Sequence, residues 1–190
     1  ATGHGLDAGM MVTAAKGLFQ NLASVPDLSG LIKQFNNTLI SMHLQPMHMG
    51  IMLTKINGYT LEMVGAGMPS MLLYQNSTDS IRELESSGPP LGGFLDYKYE
   101  TCRADLSDGD VILLLSDGFE ERFNTKKEML GDNRAKEILR EIAGESAGKI
   151  IERFVKECNE WGGDRPQDDD VTFVLIKVKQ KELGINSYII

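Results

Sequence analysis

Leu113-Leu114-Leu115-Ser116-Asp117-Gly118 is the stretch around which the chain is organised. The apolar run begins at Val111 and passes directly into an acid and a glycine, the pattern of a buried strand that ends by presenting a carboxylate at its rim. A second apolar run, Val171 to Val178, is introduced by Asp168-Asp169-Asp170. Adjacent carboxylates disfavour one another's ionisation unless a cation or solvent takes up the charge. Two acid-tipped strands can therefore share a metal, and hard oxygen donors without His or Cys favour Mg²⁺ or Mn²⁺ over zinc. The same residues also read as a tight turn at 116–118 and a solvated acidic loop at 168–170. Sequence chemistry leaves both readings open.

Outward from this pair the pattern is mixed. From Leu6 to Ala23, Met10, Ala14, Leu18 and Leu22 keep helical spacing, with Asp7 in the first turn where a carboxylate suits the helix dipole. Pro26-Asp27 starts a second helix, Leu28 to Met42, carrying Leu31, Ile32, Phe35 and Leu39. The period then changes to strands at Gly50–Ile56 and Thr60–Val64, joined by the hairpin signal Asn57-Gly58. Met71–Tyr74, Ile81–Leu84 and Tyr97–Ala104 read as further strands, and Ser87 to Gly93 as a Gly/Pro-rich surface loop. Helices are predicted at Asp132–Ile142 and Ser146–Trp161 before the last strand. This order does not alternate as a parallel sheet requires, so the expectation is an α+β fold with antiparallel sheet and helices outside.

The 190 residues fit one domain, and 42% apolar with 24% charged residues is ordinary for a globular protein. A net charge of -8 argues against nucleic-acid or anionic-membrane surfaces, which need clustered Lys and Arg. Two cysteines, Cys102 and Cys158, predict no disulfide framework and a reducing, cytoplasmic setting. No apolar run is long enough to cross a bilayer. The opening, Ala1-Thr2-Gly3-His4-Gly5, has neither Met nor a leading strand, and is expected to be an internal point of a longer protein.

Five motifs carry a resemblance: Thr2-Gly3-His4-Gly5, Ala66-Gly67-Met68-Pro69, Pro90-Leu91-Gly92, Leu115-Ser116-Asp117-Gly118 and Asp169-Asp170-Val171-Thr172. In this order and rough spacing the chain resembles the metal-dependent, type 2C-like (PPM) protein serine/threonine phosphatases, and most of all the bacterial branch that regulates sigma factors in sporulation and stress responses. The resemblance implies a four-layer α-β-β-α sandwich, here without its first strands, over residues 1–179, with 180–190 as a C-terminal tail. It implies two Mg²⁺ or Mn²⁺ ions and a bridging water that attacks a phosphoserine or phosphothreonine directly. Asp117 and Asp169 match metal ligands, and Ala1 matches the position whose backbone carbonyl reaches the second ion. Asp170, Gly118 and His4 stand beside them as supporting residues, and Thr172 supports the loop. The substrate implied is a phosphorylated anti-sigma factor antagonist.

The family's bridging Asp would stand just before Ala1, so a cut chain with unpaired strand edges is expected, and with it a homodimer or strand exchange. Two other readings compete. One is a catalytically inactive binding module that keeps the phosphatase fold; the other takes Asp117 as the nucleophile of an aspartyl-phosphate hydrolase, against which stands Phe119 where a second acid is expected. His43 and His48 read as loop histidines, and Met10, Met11, Met47, Met49 and Met52 as core filler. Cys158 reads as inert, and Glu120-Glu121-Arg122 as an exposed helix start.

Overall fold

Two four-stranded antiparallel sheets, each with its own helices, form the computed structural model, which describes residues 1–190 except 4, 23–26, 44–46, 86–87, 180–186 and 190. In chain order the elements begin with α1 (Leu6–Leu22), α2 (Leu28–Ser41), β1 (Ile51–Asn57), β2 (Thr60–Ala66), β3 (Met71–Gln75) and β4 (Ser80–Leu84). They continue with β5 (Cys102–Asp105), β6 (Val111–Leu115), α3 (Asp117–Glu120), α4 (Asp132–Ile142), α5 (Ala147–Gly162), β7 (Phe173–Lys177) and β8 (Ser187–Ile189). The mixed α+β class with antiparallel sheets flanked by helices is the one the sequence predicts. The chain divides into two compact units: Ala1–Met68, Glu85–Asp105 and Gly184–Ile190, and Pro69–Leu84 with Leu106–Leu183.

In the first unit the sheet order is β5-β2-β1-β8. Asn57 pairs with Thr60, so Gly58 and Tyr59 form a two-residue turn, and Gly58 takes the positive φ of 58° that such a turn demands. Asp27 caps α2, its carboxylate accepting from the amides of Ser29 and Gly30, each at 3.1 Å. The apolar face of α2, Leu28, Leu31, Ile32, Phe35 and Leu39, then packs with Met11 and Ala15 of α1 and with Leu53, Val64 and Ala66 of the sheet. Met10 departs from the core-filler expectation and lies 44% exposed, because α1 buries the face that carries Met11 and Ala15. Pro26, part of the expected start signal, lies outside the described residues.

The strand expected from Tyr97 shortens to Cys102–Asp105. The alternation that suggested the longer strand comes from aromatic packing instead of pairing. Tyr99 is buried, its hydroxyl donates to the Pro89 carbonyl at 3.1 Å, and its ring meets that of Tyr97 edge-on with centroids 4.8 Å apart. Within the stretch expected as a tail, Ser187–Ile189 pairs antiparallel with β1.

In the second unit the order is β4-β3-β6-β7. The apolar faces of α4 (Ala135, Ile138, Leu139) and α5 (Ile150, Phe154, Cys158) share a core with Val111, Leu113 and Leu115 of β6. Phe119, Phe154 and Phe173 form a ring cluster with centroids 5.3 to 5.6 Å apart. The buried carboxylate of Asp110 accepts from the amides of Asn76 at 2.9 Å and Ser107 at 2.8 Å. That fixes where β6 begins, and therefore where it ends.

Candidate metal site at the ends of β6 and β7

Leu115 lies opposite Phe173 in the β6–β7 ladder, so the residues just beyond, 116–118 and 170–172, meet at one end of the strand pair. The Ser116 amide donates to the Thr172 carbonyl at 3.1 Å, the Thr172 amide donates to Ser116 Oγ at 3.0 Å, and Ser116 Oγ donates to the Asp170 carbonyl at 3.1 Å. Ser116 is also the N-cap of α3, yet its hydroxyl makes no cap bond, being engaged across the gap. Gly118 is buried against the same segment: a Cβ there would stand 2.5 Å from the Asp170 carbonyl oxygen. These contacts join the segment that carries Asp117 to the segment that carries Asp169 and Asp170, and Asp117 and Asp168–Asp170 are all exposed.

The charges of the three adjacent acids are disposed of differently. Asp168 is gripped by Arg165, whose Nε and Nη2 donate to its two oxygens at 3.0 and 2.8 Å, and the guanidinium also lies 5.4 Å over the ring of Phe123. Asp169 Oδ1 accepts from the Asp170 amide at 2.7 Å, and the Asp169 carbonyl accepts from Gln167 Nε2 at 2.7 Å. Part of the repulsion for which the sequence implied a metal is therefore met by an arginine of the same loop. Glu120 is half-buried, and burial raises its carboxyl above the ordinary range, helped by Asp132, Glu83 and Asp117 and opposed by Lys136.

Asp117, Asp169 and Asp170 offer hard oxygens from two segments bonded to each other, with no thiolate or imidazole among them. That donor set fits Mg²⁺ or Mn²⁺, since Mg²⁺ in particular is held by one or two carboxylates with water completing the shell. Among the described residues no group of three or more His, Cys, Asp or Glu side chains gathers closely enough to hold an ion by itself.

Arg122 is where sequence reasoning failed. Instead of an exposed helix start it is buried, 7% exposed, with Nη1 donating to the Pro166 carbonyl and Nη2 to the Arg165 carbonyl, both at 2.7 Å. Its guanidinium lies on Gly162, where any side chain would overlap it. The one signal was Gly162-Gly163: closing a helix needs a single glycine, and the second had no assigned purpose.

In the first unit Ala1 is exposed, and Thr2 is fixed to His48, its amide donating to the His48 carbonyl at 2.8 Å and its Oγ1 accepting from the His48 amide at 2.8 Å. The assignment of Ala1 rests on the motif alone, and His4 lies outside the described residues. His43 Nδ1 sits 2.7 Å from the Ser41 carbonyl, a local loop contact. The Gly67 and Pro90 motifs touch: Gly67 takes a φ of 60°, its amide donates to the Gly88 carbonyl at 3.1 Å, and a Cβ would come within 2.9 Å of Pro90 Cα. Asn36, fully buried, accepts from the Gly92 amide at 3.0 Å and donates to the Phe94 carbonyl at 2.7 Å, which fixes the Pro90-Leu91-Gly92 loop on α2.

The family model of Stage II sporulation protein E (SpoIIE) matches residues 1–179. No curated protein matches the chain. Among solved structures, the SiaA-PP2C domain of Pseudomonas aeruginosa is 22% identical with a TM-score of 0.81, over 94% of this chain and 73% of that one. The PP2C phosphatase domain of the cell fate determinant SpoIIE from Bacillus subtilis, with a fragment of its regulatory domain, is 19% identical with a TM-score of 0.71; the match covers 94% of this chain and 52% of that one. RsbX in complex with magnesium is 19% identical with a TM-score of 0.67, over 92% and 76%. At these identities the likeness is one of fold: two antiparallel sheets flanked by helices. No helix among the described residues is long and apolar enough to cross a membrane.

Proposed function

Since the chain belongs to the Stage II sporulation protein E (SpoIIE) family and has the PP2C-like phosphatase fold, we propose that it hydrolyses phosphoserine or phosphothreonine on a regulatory protein. Mg²⁺ or Mn²⁺ would be held by Asp117 and Asp169. The observation that carries this reading is the pair of hydrogen bonds between Ser116 and Thr172, which sets two exposed carboxylates from separate segments at one end of a rigid strand pair. Bound divalent ions would supply an acidified water and offset charge on the phosphoryl oxygens.

What the chain's own residues do is hold that place. Asp117 and Asp169 bind through hard oxygens. Ser116 and Gly118 keep the two segments together, and Arg165 neutralises Asp168 and leaves the neighbouring acids free for the cation. The substrate class, a phosphorylated anti-sigma factor antagonist, follows from the sigma-regulating branch that the motifs resemble. Two ions, the second reached by the Ala1 carbonyl, follow from the same source.

The test is Mn²⁺ binding by calorimetry together with phosphopeptide hydrolysis, on the full-length protein and its Asp117→Asn variant. The expected result is tight binding and turnover in the parent and loss of both in the variant. Undiminished turnover in the variant would sink the metal assignment. If the parent itself binds no Mn²⁺, the binding-module reading replaces it.

A further inference from the structure

We infer that Arg122 is a positioning residue for Asp169, seating the loop that carries the acids; the inference rests on the metal reading above. The loop from Gly163 to Thr172 runs between α5 and β7, and Asp169 lies near its middle. Toward β7 the loop is tethered by Ser116, through the Asp170 carbonyl and the Thr172 amide. Toward α5 it is tethered by Arg122, whose two prongs reach the Arg165 and Pro166 carbonyls. Asp169 hangs between the two tethers, and both originate within six residues of Asp117 in sequence.

The seat of the guanidinium is built for it. Gly162, the last residue of α5, leaves the space that a side chain would fill, and the negative end of the helix dipole lies beside the cation. The Arg122 carbonyl is fixed in turn, accepting from the Leu130 amide at 2.9 Å and from Trp161 Nε1 at 3.1 Å. A buried cation whose side chain, among the described residues, bonds to two successive loop carbonyls sets the course of the backbone through those two residues. Lysine can replace it only in part, because its single ammonium lacks the two separate prongs, Nη1 and Nη2, that meet the Pro166 and Arg165 carbonyls. The carbonyl that receives Nη2 belongs to Arg165, so Arg122 also sets the backbone of the residue that neutralises Asp168.

The experiment compares Arg122→Met, Arg122→Lys and Asp169→Asn with the parent in the full-length protein, measuring Mn²⁺ affinity by calorimetry, kcat and KM against rising Mn²⁺, and circular dichroism. Arg122→Met is expected to keep its fold, to bind Mn²⁺ about tenfold more weakly, and to recover kcat as Mn²⁺ is raised, with KM for the phosphopeptide unchanged. Arg122→Lys falls between it and the parent, whereas Asp169→Asn is not rescued by Mn²⁺. If both Arg122 variants bind Mn²⁺ like the parent while Asp169→Asn does not, the positioning role is overturned and the metal reading stands. If Asp169→Asn also binds like the parent, both are overturned. Should Arg122→Met fail to fold, Arg122→Lys decides, since it keeps the charge and most of the buried stem and loses only the two-pronged fit.

Discussion

Ser116 and Thr172 hold each other across the ends of β6 and β7, the amide of each donating to an oxygen of the other at 3.1 and 3.0 Å. One of these bonds uses the Ser116 hydroxyl, which also reaches the Asp170 carbonyl. Ser116→Ala keeps the backbone bond and removes the other two. The groups are near solvent, so water replaces part of the loss and stability is expected to fall by about 1 kcal/mol. Turnover is expected to fall about tenfold, as when an outer partner of a metal ligand is removed. Urea unfolding and kcat at saturating Mn²⁺ check the two separately; an unchanged kcat would mean that the lock does not place the acids.

Gly118 faces a harder limit. Its Cβ, were there one, would stand 2.5 Å from the Asp170 carbonyl oxygen and 3.4 Å from Val171 Cγ2. The obstacle is backbone, so either α3 or the acidic loop must move. Gly118→Ala is expected to cost about 1–3 kcal/mol, the usual range for overpacking, and to weaken Mn²⁺ binding because Asp117 adjoins the displaced residue. Thermal unfolding and calorimetry test this, and a variant as stable as the parent would contradict the close approach.

Local signals carried most of the fold. Asp27 before an amphipathic run is a cap, Asn57-Gly58 between apolar stretches is a hairpin, and both are read within a few residues. The acid-tipped strands were legible for the same reason, and the ladder that sets Leu115 opposite Phe173 brings their tips together. Tyr99 and Arg122 were not legible, because what fixes them is distant in sequence: the Pro89 carbonyl and Gly88 ten or more residues away for Tyr99, and the Arg165 and Pro166 carbonyls over forty residues away for Arg122. Arg beside two Glu reads as surface until the glycine that admits it is placed.

Glu157 links α5 to α4 in the second unit. Its carboxylate accepts from Arg134 Nε of α4 at 2.7 Å and from Arg153 Nη1. Arg134, and after it Arg153, hold the Glu157 carboxyl below the usual range, against the opposing effect of burial. A carboxylate depressed by folding contributes stability that is present above its unfolded pKa, near 4.3, and is lost as pH falls through the folded value. Glu157→Gln is therefore expected to cost about 1 kcal/mol at neutral pH, a modest figure because the arginines are partly solvated. The difference from the parent should vanish in acid, below the folded pKa. Denaturation midpoints at several pH values check it; a difference independent of pH would make the contact one of shape and not of charge.

Lys177, the last residue of β7, donates from Nζ to the carbonyls of Ala143 at 2.9 Å, Gly144 at 2.9 Å and Glu145 at 2.6 Å. All three ammonium protons are used, and the acceptors lie just past the end of α4, where a helix leaves carbonyls unpaired and its dipole is negative. Lys177→Met removes these bonds while keeping the stem, and is expected to lower stability by about 1–2 kcal/mol. Lys177→Arg should recover only part, since a flat guanidinium cannot converge three donors on consecutive carbonyls. The ladder runs from Leu115 opposite Phe173 to Val111 opposite Lys177, so this contact lies at the other end of the strand pair from the acids, about 13 Å along β7. Mn²⁺ affinity should therefore stay within about twofold of the parent while the urea midpoint falls, and a parallel loss of both would show that the sheet transmits the damage to the site.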